Sequence, residues 1–179
     1  MALPLDPSEI TFEPYAPGRA YGKFVCGEDM IDRWFREKAA IHHQDRCRVV
    51  VAHAPQFDYP IGFYALAFAV HGLNRKALPA FFGQDHFAAL NLEWLAVHRG
   101  LQGNGLGMIL MGRVLSDFAA INDIAHVPAL TLKPISEAVV PFYKRIGFVS
   151  FQPKVRGGGL LLPASDLAPA GVEPLDHIE

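Results

Sequence analysis

The chain has 179 residues, of which 51% are apolar, enough to bury one domain's core. Its net charge is -2, but all 16 basic residues precede Pro163 while Asp166, Glu173, Asp176 and Glu179 follow it, so the body carries 16 basic against 14 acidic residues, a balance of +2 that neither demands nor excludes a polyanionic partner. The longest apolar stretch, residues 61–70, is too short and interrupted to cross a bilayer, and no charged-then-apolar signal segment opens the chain, so a cytoplasmic protein is expected. Cys26 and Cys47 have neither CxxC spacing nor a His-rich partner cluster, so no disulfide framework and no metal site are expected.

In chain order, residues 10–15 alternate as a first strand that Pro14, Pro17 and Gly18 end. From Glu28, Ile31, Trp34, Phe35, Ala39 and His42 recur at helical spacing between charged Asp32, Arg33, Arg36 and Glu37, which predicts an amphipathic helix. Residues 48–53 and 61–70 read as strands joined through a turn at 55–60. Between 71 and 89, Gly72, Pro79 and Gly83 interrupt aromatic Phe81, Phe82 and Phe87, so an irregular connection or lid is expected. Residues 90–98 form the next strand. A helix over 105–121 lines up Ile109, Leu110, Val114, Phe118 and Ile121. A short strand at 129–132, a helix over 136–146 stopped by Gly147, and strands at 148–152 and 160–162 complete the domain. After Pro163 the chain lacks periodicity and reads as a loosely attached tail, 164–179. Strands outnumber helices and mix with them, so the fold class is α/β or α+β on a mostly antiparallel sheet.

The segment most informative about chemistry is Leu92-Glu93-Trp94-Leu95-Ala96-Val97-His98-Arg99-Gly100-Leu101-Gln102-Gly103-Asn104-Gly105-Leu106-Gly107, a strand that runs into a glycine-dense loop and then a helix. Glycines at 103, 105 and 107 permit positive φ and remove side chains, so successive N–H groups can converge on a phosphate, aided by the positive end of the helix dipole. A Walker loop is excluded because Gly107 is followed by Met108 rather than Lys. A dinucleotide fingerprint belongs on the first βα turn; Asp123 lies near the acidic spacing it needs, yet this loop follows at least three strands.

Gln102-x-x-Gly105-x-Gly107 after Leu95-Ala96-Val97 resembles the pyrophosphate-binding motif of the GNAT N-acetyltransferases, and Phe142-Tyr143-Lys144-Arg145-Ile146-Gly147-Phe148 resembles the helix-then-strand signature further along the same superfamily. The resemblance spans residues 10–162. It implies a GNAT fold, with a mixed, mostly antiparallel central sheet flanked by helices and splayed strands that take acyl-CoA, and a domain over 1–163. The cofactor so implied is acetyl-CoA as co-substrate. Gln102, Gly103, Asn104, Gly105, Leu106 and Gly107 would hold its pyrophosphate, and the backbone of Leu95, Ala96 and Val97 its pantetheine arm, with the Val97 N–H on the developing oxyanion. Tyr143 matches the tyrosine that protonates the departing thiolate; an ordinary phenol near 10 and thiol near 8.5 can exchange a proton. Phe142 joins the cofactor-contacting candidates, although it and Trp94 also read as packing.

Glu93 shares a strand face with Leu95 and Val97 and is a candidate general base, with a solvated or salt-bridged strand residue as the competing reading. His98 is a lesser candidate for the same role. Phe24-Val25-Cys26-Gly27-Glu28-Asp29-Met30-Ile31-Asp32-Arg33-Trp34-Phe35 is similar to the FxCGxxxLDxWL-type N-terminal motif of a GNAT subgroup that includes toxins paired with ribbon-helix-helix antitoxins, and Gly62-Phe63-Tyr64-Ala65-Leu66 is similar to its third strand. Trp94 stands where that subgroup usually carries a basic residue. The implied acceptor is the amino group of aminoacyl-tRNA, with Arg33, Arg36, Arg46, Arg48, Lys144, Lys154 and Arg156 available for phosphates. The implied partners are an antitoxin and an open alternative of a homodimer, with no membrane. An N-acetyltransferase of a small-molecule or protein amine, and a catalytically silent CoA-binding or partner-binding domain, stand beside that reading.

Overall fold

The computed structural model describes residues 5–19, 21–72, 86–151 and 158–167. Its elements are β1 (Thr11–Pro14), α1 (Asp29–Glu37), α2 (Ala39–Asp45), β2 (Arg48–His53), β3 (Gly62–Gly72), β4 (His86–Val97), α3 (Leu106–Ile124), β5 (Ala129–Leu132), α4 (Val140–Ile146), β6 (Val149–Phe151) and β7 (Gly159–Pro163), with short 3₁₀ turns between them. The seven strands run β1-β2-β3-β4-β5-β7-β6 through a mixed α/β fold. No described helix is long and apolar enough to cross a membrane. The chain divides into two compact units, Met1–Phe68 with Asn91–Val114, and Ala69–Leu90 with Leu115–Glu179.

In the first unit β1 lies antiparallel on β2, Thr11 opposite His53, and β2 lies antiparallel on β3, Ala52 opposite Gly62. Pro14 is tolerated because β1 is an edge strand, where a missing N–H breaks no central ladder. The apolar stripe of α1 covers the sheet: Phe35 is 1% exposed, stacks on Phe63 at 4.2 Å and touches Phe24 at 5.0 Å. The single helix expected from residue 28 is two. They meet at Lys38, whose backbone leaves ideal helical geometry (φ -118°, ψ -25°) while its N–H still reaches the Trp34 carbonyl. The two helices are anchored by imidazoles, with Trp34 Nε1 donating to His42 Nδ1 at 3.2 Å and the Val49 N–H to His43 Nδ1 at 3.1 Å. Arg19 pairs with Glu13, and Lys23 with Asp58, at the surface.

In the second unit β7 lies between β5 and β6, antiparallel to both, with Leu130 opposite Leu162 and Ser150 opposite Leu160. Phe87, Ala89, Ala129, Phe151 and Leu161 form its buried cluster. The alternation of buried Phe87 and Ala89 with exposed neighbours puts residues 86–89 into β4, and residues 71–72 continue β3, so both ends of the expected irregular connection are strand. The rest of that segment, with the lid expectation, lies outside the described residues. The expected helix over 136–146 begins instead as a 3₁₀ turn, Glu137–Val139, because Pro141 can only sit in the first turn of α4. Gly147 ends α4 in the left-handed region at φ 115°, with the Phe148 N–H donating to the Tyr143 carbonyl. Of the expected tail, Ala164–Asp166 forms a 3₁₀ turn whose Ala164 N–H donates to the Pro128 carbonyl; residues 168–179 lie outside the described residues.

One close approach in the first unit fixes a glycine. A Cβ on Gly62 would fall 2.8 Å from Leu110 Cδ1 of α3 and 2.9 Å from the Ala96 carbonyl oxygen of β4. The leucine end can rotate away, but the backbone oxygen cannot. Gly62→Ala should therefore cost about 1–3 kcal/mol by overpacking, read as a lower denaturant midpoint at unchanged m-value. A midpoint equal to the parent's would mean that the strand and helix have room to separate.

Candidate functional site

The loop between β4 and α3 is built to leave its donors bare. A 3₁₀ turn at Arg99–Leu101 carries the chain out of the strand, and His98 Nδ1 accepts from the Gly100 N–H at 3.2 Å to hold it. Gly103 and Gly105 then adopt φ of 80° and 77°, while a Cβ on either would meet nothing within 4 Å. Their identity is a matter of backbone conformation, not of space. Gly107, expected to share that conformation, is instead the second residue of α3 and has no positive φ.

The Gln102 N–H is spent on the Arg99 carbonyl, but the N–H groups of Gly103, Asn104, Gly105, Leu106 and Gly107 have no backbone acceptor among the described residues. Two of these are first-turn donors of α3, which an α-helix never satisfies internally. Residues 102–105 are exposed. Three of the carbonyls around them, by contrast, are occupied. Asn104 Nδ2 donates to Leu101 O at 3.2 Å and Gln102 O at 3.3 Å, and Gly105 O accepts from Met108 and Ile109. What remains on the open side is a run of donors at the positive end of a helix, which suits an anion. Arg99, exposed and outside both ion pairs found among the described residues, adds positive charge beside it. The sequence reading passed over Arg99, because a phosphate cradle reads as backbone.

β4 sorts its residues by side and by edge. The His98 N–H donates to Ile61 O at 2.9 Å, and the Ala96 carbonyl also points toward β3 at Gly62. Because N–H and C=O alternate between edges residue by residue, those of Leu95 and Val97 point away from β3. Of the three expected backbone contacts, Leu95 and Val97 thus keep their polar groups on the other edge, whereas Ala96 turns its own toward β3 and buries its side chain in the core with Phe63 and Phe35. Gln102 Nε2 reaches the Val97 carbonyl at 3.1 Å and the Cys26 carbonyl at 2.8 Å. Glu93 is exposed on the face shared by Leu95 and Val97, with Oε1 accepting from Asn91 Nδ2 at 2.7 Å.

Trp94 is on the opposite face, 5.3 Å from Trp34 and packed against the core. His98 is also bound into structure: its ring lies 4.4 Å from Tyr59, and burial foremost lowers its pKa, with Arg99 adding to the effect and a bond to the Lys23 backbone opposing it.

Tyr143 sits in the middle of α4, its ring 5.0 Å from Phe142 and 5.7 Å from Phe148 and only 9% exposed. Burial pushes its phenol up to about 12. The only buried side-chain polar atom without a partner among the described residues is His53 Nε2, so the Tyr143 oxygen, which makes no hydrogen bond to a described side chain or backbone group, keeps contact with the surface. Phe142 is half-buried beside it. Glu93, Leu95, Ala96, Val97 and residues 102–107 fall in the first compact unit, and Phe142 and Tyr143 in the second.

Cys26 and Cys47 are buried free thiols, raised by burial to about 12 and about 11 respectively, so neither is a ready nucleophile. No group of three metal-ligating side chains occurs among the described residues. Arg33, Arg36, Arg46, Arg48 and Lys144 are all exposed; Lys154 and Arg156 lie outside the described residues.

Residues 83–163 match the family model of the acetyltransferase (GNAT) domain. The fold is similar to that of a Tyr→Phe mutant of KacT, at TM-score 0.76 and 20% identity over 89% of this chain and 97% of that one. It is similar to AtaT complexed with acetyl-methionyl-tRNAfMet, at TM-score 0.75 and 20% identity over 87% and 95%. It is similar as well to a Tyr→Phe mutant of the AtaT toxin bound to acetyl-CoA and the C-terminus of the antitoxin AtaR, at TM-score 0.73 and 20% identity over 89% and 96%. These likenesses establish a common fold, and residues 83–163 carry the match to the GNAT acetyltransferase domain within it.

Proposed function

We propose that the chain transfers the acetyl group of acetyl-CoA to the amino group of aminoacyl-tRNA, acting as the toxin of a toxin–antitoxin pair. The observation that carries the acetyl-CoA half is the run of five N–H groups, 103–107, left without backbone acceptors at an exposed helix start. The acceptor half rests on the N-terminal motif Phe24 to Phe35 and on the fold shared with a protein solved with acetyl-methionyl-tRNAfMet. A ribbon-helix-helix antitoxin is the corresponding partner, in keeping with the AtaT structure bound to the C-terminus of AtaR. A homodimer, a cytoplasmic location and an acetyltransferase domain spanning 1–163 ahead of a 164–179 tail belong to the same proposal.

In this mechanism the pyrophosphate lies on the N–H groups of residues 103–107, with Arg99 beside it and Gln102 holding the loop. The pantetheine arm runs along the backbone of Leu95 and Val97 on the edge turned away from β3, where Gln102 already holds the Val97 carbonyl. The neutral amine attacks the thioester carbonyl, the Val97 N–H steadies the oxyanion, and Glu93 takes the proton that the amine sheds, directly or through water. The C–S bond then breaks, and Tyr143 donates its phenolic proton to the departing sulfur, with Phe142 packing beside the thioester end.

The direct test is to incubate purified protein with acetyl-CoA and a charged tRNA pool and to look for N-acetylated aminoacyl-tRNA by mass spectrometry. Acetylated aminoacyl groups are expected. Turnover on a small-molecule or protein amine with charged tRNA left unmodified would replace this acceptor with the second one named above.

Tyr143→Phe removes the hydroxyl and keeps the packed ring. With chemistry limiting, kcat should fall by about 10²- to 10⁴-fold with little change in KM. Because burial disfavours the phenolate, the proton is held to higher pH than in a free phenol, and the acid form persists up to about 12. The parent's kcat should therefore show no decline of Tyr143's making between pH 8 and 10. A Tyr143→Phe enzyme within threefold of the parent would return the acid role to water.

A further inference from the structure

The carboxylate of Asp32 is the most buried acidic group described, 4% exposed inside α1, and no cation among the described residues is in hydrogen-bonding contact with it. What stabilises it is backbone: Oδ1 accepts from the Cys26 N–H at 2.7 Å and Oδ2 from the Gly27 N–H at 3.3 Å. Burial alone would raise its pKa, but these bonds, with Arg36 nearby, more than offset it and leave it lowered. Gly27 takes φ 95°, so the turn is one that a free chain with a side chain there would avoid.

The peptide group that donates through the Gly27 N–H is the one whose carbonyl belongs to Cys26, and that carbonyl accepts from Gln102 Nε2 at 2.8 Å. The adjoining residue reinforces the same seam, with the Arg99 N–H donating to Val25 O at 2.8 Å. Asp32, one peptide plane and Gln102 thus form a continuous chain of hydrogen bonds. In such a chain the anion at one end polarises the carbonyl at the other and fixes the plane between them. The second proton of the Gln102 amide goes to Val97 O at 3.1 Å, so the chain ends at the last residue of β4 and at the first residue of the glycine loop together.

We infer that Asp32 is a positioning residue for acetyl-CoA: through the Cys26–Gly27 peptide it holds the Gln102 amide, and through Gln102 it sets where the donors of residues 103–107 stand. The inference rests on the proposed pyrophosphate site at that loop. It gives the Cys26-Gly27 and Asp32 positions of the N-terminal motif one shared task, remote in sequence from the loop they serve.

The test is a double-mutant cycle read by calorimetry with acetyl-CoA, using the parent, Asp32→Ala, Gln102→Ala and the double variant. Each single change should raise the Kd about tenfold, and the double should be no weaker than the weaker single, because residues acting in one chain are not additive. Asp32→Asn keeps an acceptor for the Cys26 N–H but loses the one for Gly27, so it should fold where Asp32→Ala fails and show a smaller rise in Kd. Parent-like affinity in a folded Asp32 variant, or penalties that multiply to about a hundredfold in the double, would overturn the inference and leave the loop reading standing. A parent that binds no acetyl-CoA would overturn the loop reading itself, and the inference with it.

Discussion

Everything proposed for this protein depends on keeping five backbone N–H groups pointed outward and unspent. A polypeptide rarely leaves donors idle, because a turn with free N–H groups and free carbonyls tends to close on itself. Here three of the competing acceptors are occupied. Asn104 occupies the carbonyls of Leu101 and Gln102, the carbonyl of Gly105 is taken by the first residues of α3, and the positive φ of Gly103 and Gly105 turns the N–H groups away from what remains. Exposure then lets water satisfy the donors until an anion displaces it, which is why the arrangement can persist without a ligand and still favour one.

The strand before the loop solves a related problem by alternation alone. Side chains of β4 divide between the core, where Trp94 and Ala96 pack, and the open face of Glu93, Leu95 and Val97. Backbone groups divide on a separate axis, even-numbered residues toward β3 and odd-numbered ones away from it. Leu95 and Val97 are therefore the positions where the open face and the edge turned away from β3 coincide, and Glu93 extends the same column. A shift of one residue in the β3 register would exchange both sets, so the tight fit of Gly62 against the Ala96 carbonyl bears on the site as much as on the core.

The glycine loop, the strand that feeds it and the Gly147 stop of α4 were legible in the sequence, because glycine spacing and apolar alternation are local signals. Three kinds of feature were not. The break at Lys38 has no glycine or proline to announce it, and the 3₁₀ start before α4 differs from an α-helix by less than periodicity resolves. Gly107 looked like its neighbours at 103 and 105, yet it is the second residue of a helix that begins at Leu106 and takes no positive φ. Asp32 read as one charged residue on the polar face of an amphipathic helix. Its burial comes from a turn six residues upstream folding over it, which no pattern within the helix encodes.

The chemistry proposed for each side chain rests on how protonation is distributed. An α-amino group titrates near neutrality, at about 7.7–8.0, so an acceptor of that kind is already neutral in good part and makes a modest demand on a base. That is consistent with Glu93, an exposed carboxylate whose visible partner is a neighbouring amide. The departing thiolate makes the larger demand. A phenol at about 12 is a weaker acid than a free thiol near 8.5, and on those values alone the proton would stay on Tyr143. Two effects narrow the gap. The same apolar surroundings that raise the phenol also raise a thiolate brought beside it, and a neutral phenol can donate a strong hydrogen bond to sulfur as charge develops, before any proton has moved. Burial of Tyr143 thus argues for a donor whose contribution begins in the transition state, and its ring, packed between Phe142 and Phe148, holds that donor in place without help from a second polar group among the described residues.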